Sequence, residues 1–264
     1  MNRLFVFDID GTLVNRSYEL KQEVIDAINL LLDDGDIVAT CSGRSFVGSN
    51  RFLSQFKCGK KFAICSNGAA IYFDSKVLIR KLSLKYKDYL KTVKIAADRE
   101  YFFPYFYYED NLYHLKYDEC IELDKVSNLN ESFNVENNFE PNTEIDKIMI
   151  RDKTREKMQF FKVPLSFKLK YSAVKSSKVF LEVTNKKATK GSGVEFLRKY
   201  LSIPRKDVYV FGDSGNDVSM IKKYKNSIAM GNAIEAVKKH AKYTTKSVDD
   251  CGVAYALKDI LKVI

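Results

Sequence analysis

The sequence predicts an α/β fold: a parallel-sheet core interrupted by an α+β insert. Three observations predict it. Short apolar runs end in small or acidic residues at "LFVFDIDGT", "DIVATCS" and "DVYVFGDSGND". Helical periodicity fills the stretches between them, the strand–helix–strand rhythm of parallel crossovers. The middle of the chain breaks that rhythm. "YFFPYFYYEDNLYHLKY" (101–117) sets aromatic-rich runs either side of an Asp-Asn pair, the pattern of an antiparallel hairpin.

Residues 3–9 read as a buried strand that delivers Asp8 and Asp10 at its end. A Gly-containing loop follows. Ser17 stands as N-cap of a helix whose Leu20, Val24, Ala27, Ile28 and Leu31 share one face. Asp33-Asp34-Gly35 ends it. Residues 36–42 form a second strand, followed by Gly43, and 61–69 a third, ending at Ser66-Asn67-Gly68. The C-terminal third repeats the rhythm: a helix over 191–201, strands over 207–217 and 227–233, then helices over 234–241 and about 254–262. "EIDKIMIRD" and "SSKVFLEVT" add strands to the middle. The simplest organisation is a core of residues 1–82 and 183–264 with an insert of 83–182.

Composition narrows the function. A hydrophobic fraction of 45% supports a sizeable core. No segment approaches ~18 uninterrupted apolar residues, so no membrane partner is expected. The first apolar run is too short for a secretory signal and Asp8 interrupts it, so a cytoplasmic protein is expected. Cys41, Cys58, Cys65, Cys120 and Cys251 are odd in number and form no C-x-x-C pair. They are expected to be reduced and mostly buried, with no zinc site. His114 and His240 are isolated, which argues against a His-ligated metal or a Ser-His-Asp triad.

The net charge of +10 raises nucleic acid as a partner. Its distribution argues against one. Residues 83–182 hold 17 basic and 17 acidic side chains, and an acidic stretch (Glu131, Glu136, Glu140, Glu144, Asp146) precedes the basic 147–178 segment. Scattered lysines are a solvated surface, and no nucleic-acid motif accompanies them.

Ligands of open α/β sheets bind beyond the carboxyl ends of the strands. Here those ends deliver Asp8 and Asp10, Ser42, and Asp213 with Asn216 and Asp217. Converging acids repel and drive one another toward protonation. A hard divalent cation relieves this, and oxygen-only ligands suit Mg²⁺. Strand alternation puts Asp8 and Asp10 on one side, with a backbone carbonyl available beside them. The Ser42 hydroxyl and the Gly43 turn can approach an anion. Lys190, just before Gly191 at a helix start, brings positive charge to a helix N-terminus. This set equips a site for phosphoryl transfer through an aspartyl-phosphate.

Four segments in order carry a family resemblance: "DIDGT" (8–12), "SGR" (42–44), Lys190 in "ATKGSG", and "GDSGND" (212–217). Together they resemble the haloacid dehalogenase superfamily. "CSNGAAIYF" and the tail "SIAMGNAIEAVKKHAKYTTKSVDDCGVAYAL" are similar to its Cof-type branch, small-molecule phosphatases with a C2 cap. The resemblance implies a Rossmann-like core with residues 83–182 as the cap. It implies Asp8 as nucleophile and Asp10 as general acid/base. Mg²⁺ would bind the Asp8 carboxylate, the Asp10 carbonyl and Asp213. Ser42, the Gly43 backbone, Lys190 and Asn216 would hold phosphate, with Asp217 orienting Lys190 or a metal-bound water. One departure is Ser42, where the family usually has Thr; Thr40 lies two residues earlier.

The expected activity is Mg²⁺-dependent hydrolysis of small phosphomonoesters such as sugar phosphates. The insert would read the leaving group. A phosphosugar mutase and a non-catalytic phosphometabolite-binding protein are the alternatives. Asn67 either touches substrate or shapes its turn, and Arg44 either reaches a ligand or caps the following helix. The aromatic hairpin reads as packing of the insert sheet rather than a substrate platform.

Overall fold

The computed structural model describes residues 2–74, 77–96, 101–115, 132–135, 139–161, 163–175 and 178–264. Cys120, Glu131, Glu136, the last two residues of the aromatic segment (116–117) and the first two of "SSKVFLEVT" (176–177) lie outside them. The chain divides into two compact units, Met1–Arg80 with Thr189–Ile264, and Lys81–Ala188.

The first unit opens with β1 (Leu4–Phe7), α1 (Gln22–Asp33), β2 (Ile37–Cys41), α2 (Phe46–Leu53), β3 (Lys61–Cys65), β4 (Ala70–Phe73) and β5 (Val77–Lys81). The insert contains β6 (Leu84–Lys85), α3 (Tyr86–Ala96), β7 (Phe102–Tyr108), β8 (Asn111–His114), β9 (Ser132–Asn134), β10 (Glu144–Ile145), β11 (Lys147–Asp152), α4 (Leu165–Lys170), β12 (Tyr171–Lys175) and β13 (Phe180–Asn185). The chain returns through α5 (Lys190–Tyr200), β14 (Val208–Gly212), α6 (Val218–Ile221), β15 (Asn226–Ala229), α7 (Glu235–Lys238), β16 (Tyr243–Thr244) and α8 (Gly252–Tyr255).

One eight-stranded sheet organises the first unit, in the order β16-β15-β14-β1-β2-β3-β4-β5. β1 is central and parallel to both β14 and β2. All four of its residues are buried, which explains a continuous apolar run where a half-exposed strand would alternate. Phe5 stacks on Tyr209 at 4.6 Å and Phe7 packs on Phe211 at 4.8 Å. Burying side chains of this size contributes about 1.5–3 kcal/mol each. β4 turns back antiparallel to β3.

α1 ends as the sequence predicts. The Gly35 amide donates to the Leu32 carbonyl and the Asp36 amide to the Leu31 carbonyl, the paired bonds of a left-handed helix stop, with Gly35 at φ +80°. Its start differs: α1 begins at Gln22, not after Ser17. The Asn15 side-chain oxygen accepts from the Ser17 and Glu19 amides and holds 15–19 as a turn. Ser17 amide therefore has a partner outside any helix, and Leu20 packs against the core from the loop.

In the insert, a six-stranded sheet runs β12-β13-β11-β7-β8-β9. β7 and β8 form the expected hairpin, but it turns through Glu109 and Asp110 at φ +49° and +65°, one residue before the Asp-Asn pair, and Asn111 already pairs with Tyr108. Its aromatics are packing residues: Phe102, Phe103, Tyr105, Phe106 and Tyr107 are buried in clusters of the insert itself. β13 continues to Asn185, paired with Tyr171, beyond the apolar run that the sequence shows. Cys41 and Cys65 are buried thiols, but the Cys58 thiol is exposed. Among the described residues no helix is long and apolar enough to cross a membrane.

Candidate active site

Sheet register builds the site. Phe7 lies level with Thr40 on one side and Phe211 on the other, so β1, β2 and β14 end side by side. Asp8, Ser42 and Asp213 emerge along one edge. The Asp8 amide donates to the Phe211 carbonyl at 3.1 Å, which extends the ladder to the residue that carries the carboxylate.

Asp8, Lys190 and Asp217 are at most 3% exposed. Lys190 Nζ donates to Asp8 Oδ1 at 2.5 Å and to Asp217 Oδ1 at 2.6 Å. Thr189 N-caps α5 by accepting from the Ser192 amide, and Ser192 Oγ accepts from the Thr189 amide in return. Lys190 is thus the first residue of a helix, where positive charge opposes the helix dipole. Helix stability does not ask for a cation there; the two buried carboxylates do.

Burial pushes the Asp8 carboxyl well above its ordinary range and Asp217 adds to it, while Lys190 pulls it down. Burial also works against the Lys190 charge, but Asp217 and Asp8 outweigh it and hold the ammonium above its usual value. Burial, then Asp217, raise Asp213 to about 6. Oxygens of Asp8, Asp213 and Asp217 lie within 4.8 Å of one another. Three acids thus face a single ammonium in this cluster.

Asp217 is used up inside the protein. Its Oδ2 accepts from the Asp213 and Ser214 amides at 3.0 and 2.9 Å while Oδ1 takes Lys190. It orients Lys190 and shapes the 213–217 turn. Asp8 and Asp213 remain as an oxygen pair driven toward protonation, the donor chemistry that a hard divalent cation relieves. The residues fit Mg²⁺. The Gly11 loop packs on Asp213: a Cβ at Gly11, φ +85°, would meet Asp213 Oδ2 at 2.4 Å. Thr12 Oγ1 donates to Asp213 Oδ1 at 3.3 Å, and Asn232 Nδ2 donates to the Gly11 carbonyl at 2.8 Å.

Asp10 stands apart from the carboxylate cluster, with its side chain about half exposed. Arg44 Nε and Nη2 donate to its two oxygens at 2.9 and 2.6 Å. Arg44 is 7% exposed and packs over the Tyr18 and Phe52 rings. Of the two sequence roles for Arg44, helix capping falls to Ser45, which accepts from the Gly48 amide at the start of α2, and Arg44 itself bonds to Asp10.

Ser42 stands at the end of β2, and its Oγ accepts from the Arg44 amide at 3.2 Å, closing the turn around Gly43. Thr40 is fully buried within β2, and its hydroxyl has no partner among the described residues. Asn216 is half-buried; its Oδ1 accepts from Ser214 Oγ and its Nδ2 donates to Asn67 Oδ1 at 3.0 Å. Sequence reasoning missed Thr12, Thr189 and Asn232. A capping signal, Thr189 with Ser192 three residues on, is legible for Thr189; Asn232 has no local signal, because its partner is 221 residues away.

The sequence profile of haloacid dehalogenase-like hydrolases matches residues 5–257. The chain belongs to this family. It is 29% identical over 269 residues to the putative phosphatase YxeH of Bacillus subtilis, covering 99% of each chain. It is 25% identical to the 5-amino-6-(5-phospho-D-ribitylamino)uracil phosphatase YwtE of the same organism, covering 98% of each. The crystal structure of TM0651 from Thermotoga maritima superposes with a TM-score of 0.80 at 29% identity, covering 98% of this chain and 97% of that one. The α/β fold class and the phosphatase class of enzyme stand with the family.

Proposed function

We propose that this chain is a Mg²⁺-dependent phosphatase of small phosphomonoesters, sugar or polyol phosphates among them, acting in the cytoplasm through an aspartyl-phosphate on Asp8. The observation that carries the reading is the buried Asp8–Lys190–Asp217 triad with Asp213 beside it. The names of the phosphatase relatives support the substrate class.

The residues divide the work. Asp8 attacks phosphorus in line with the leaving oxygen. As the bond to that oxygen breaks, Asp10 gives it a proton. Water then attacks the aspartyl-phosphate, Asp10 takes the water proton, and Asp8 is released with phosphate. Lys190, Asn216, the Ser42 hydroxyl and the Gly43 backbone hold the phosphoryl oxygens through both steps. The Asp8 and Asp213 carboxylates and the Asp10 carbonyl would hold Mg²⁺, which supplies positive charge against those oxygens. Arg44 aims Asp10 by its two hydrogen bonds.

The test is phosphate release from a panel of sugar, polyol and aryl phosphates, with Mg²⁺ and with chelator. Turnover of part of the panel, lost with chelator, is expected. Asp8→Asn is expected to fold normally and lose more than about 10⁴-fold in kcat. An absence of turnover across the whole panel overturns the proposal.

A further inference from the structure

The short turn Ser66-Asn67-Gly68 after β3 has an unusual backbone. All three residues have positive φ: +48°, +55° and +93°. Only glycine adopts this region freely. Ser66 and Asn67 hold it because three separate parts of the phosphate site lock the turn.

The first lock is the Ser42 loop. The Ser66 amide donates to the Arg44 carbonyl and the Asn67 amide to the Ser42 carbonyl, each at 2.9 Å. The second is the start of α5. A Cβ at Gly68 would meet the Thr189 carbonyl at 2.3 Å, so the turn is pressed against the residue that precedes Lys190. The third is the 213–217 turn. Asn67 Oδ1 accepts from Asn216 Nδ2 at 3.0 Å, while Ser214 Oγ donates to Asn216 Oδ1 at 2.9 Å. The Asn216 carboxamide is therefore gripped at both ends, and only one grip comes from its own loop. Asn67 is itself 6% exposed, so its carboxamide works inside the protein.

We infer that Asn67 is a positioning residue for phosphate binding: from its left-handed turn it fixes the orientation of the Asn216 carboxamide, and the turn registers the Ser42 loop and the Lys190 helix against it. This rests on the reading above that Asn216 holds phosphate. The left-handed backbone carries the Asn67 side chain from the turn after β3 toward the 213–217 turn.

Asn67→Gly is the discriminating variant, because glycine keeps the positive-φ turn and removes only the carboxamide. Orthovanadate binding in the presence of Mg²⁺, measured by calorimetry on the full chain, needs no identified substrate. Asn67→Gly is expected to unfold at the wild-type temperature to within a few degrees and to bind vanadate about tenfold more weakly, the loss of one oriented hydrogen bond. Asn216→Ala is expected to weaken binding by at least as much. The double variant is expected to bind no more weakly than Asn216→Ala alone, because Asn67 acts through Asn216. Wild-type vanadate affinity in Asn67→Gly overturns the inference. Multiplied losses in the double variant also overturn it, since they require Asn67 to touch the anion independently. Wild-type affinity in Asn216→Ala overturns the phosphate role of Asn216 and the inference together, and that single arm tells this failure from the other two.

Discussion

Replacing Lys190 by Met removes the cation bonded to both Asp8 and Asp217 while keeping the side chain's length and apolar stem. In the wild type its ammonium lies 2.5 Å from Asp8 and 2.6 Å from Asp217, and all three side chains are at most 4% exposed. Two unit charges about 4 Å apart interact by about 4 kcal/mol at an effective dielectric near 20. Removing one partner from a buried ion pair costs about 3–5 kcal/mol, chiefly because the remaining charge is stranded. The metal-free Lys190→Met protein is therefore expected to lose about 3–5 kcal/mol at about pH 7.5. At ~2–4 °C per kcal/mol this is a fall of about 6–20 °C in Tm. The pH dependence has a definite sign. A carboxyl raised above its unfolded value adds stability below that value and loses it as pH rises through the native one. Burial and Asp217 already raise Asp8, and losing Lys190 raises it further. The deficit should therefore shrink between about pH 7.5 and 5. Adding Asp8→Asn removes one stranded charge and should restore about 2 kcal/mol. Urea midpoints of wild type, Lys190→Met, Asp8→Asn and the double variant at both pH values test this. Wild-type stability in metal-free Lys190→Met at about pH 7.5 would refute the reasoning.

Three further outcomes follow from the same geometry. Gly11→Ala should cost about 2–3 kcal/mol, from the positive φ and the contact with Asp213, and raise the Mg²⁺ concentration for half-maximal activity; urea unfolding and a Mg²⁺ titration measure both. Arg44→Gln should slow alkyl phosphates about 10–100-fold yet slow p-nitrophenyl phosphate much less, because a nitrophenolate leaves without a proton from Asp10; equal losses on both would sever Arg44 from that role. Burial pushes Glu195 up, but hydrogen bonds from Arg198, Arg205 and Tyr224 outweigh it and hold the carboxyl at about 2. Its stabilisation is full above the unfolded value of about 4.3 and disappears as pH falls through 2. Glu195→Gln should thus cost about 1–2 kcal/mol at neutral pH and progressively less in acid, read from urea midpoints at about pH 7 and pH 3.

The sequence by itself determined what local pattern can encode. Apolar runs ending in acids named the strands and the edge where Asp8, Ser42 and Asp213 gather. Gly35 after a periodic segment marked the end of α1. Strand alternation placed Asp8 and Asp10 on one side, and the family resemblance divided their roles. Ser17 misled because capping propensity is shared by every polar residue of a turn, and Asn15, two residues earlier, took the amides first. Tertiary structure alone decided the rest. Arg44 braces Asp10 across 34 residues, and Asn67 grips Asn216 across 149. Asp217 is bonded to Lys190 and to two backbone amides, pairings that join residues 190 and 213–217 across the fold. Such pairings depend on which strands become neighbours in the sheet. Strand order is set by crossovers and packing of the whole chain, so no window of sequence contains it.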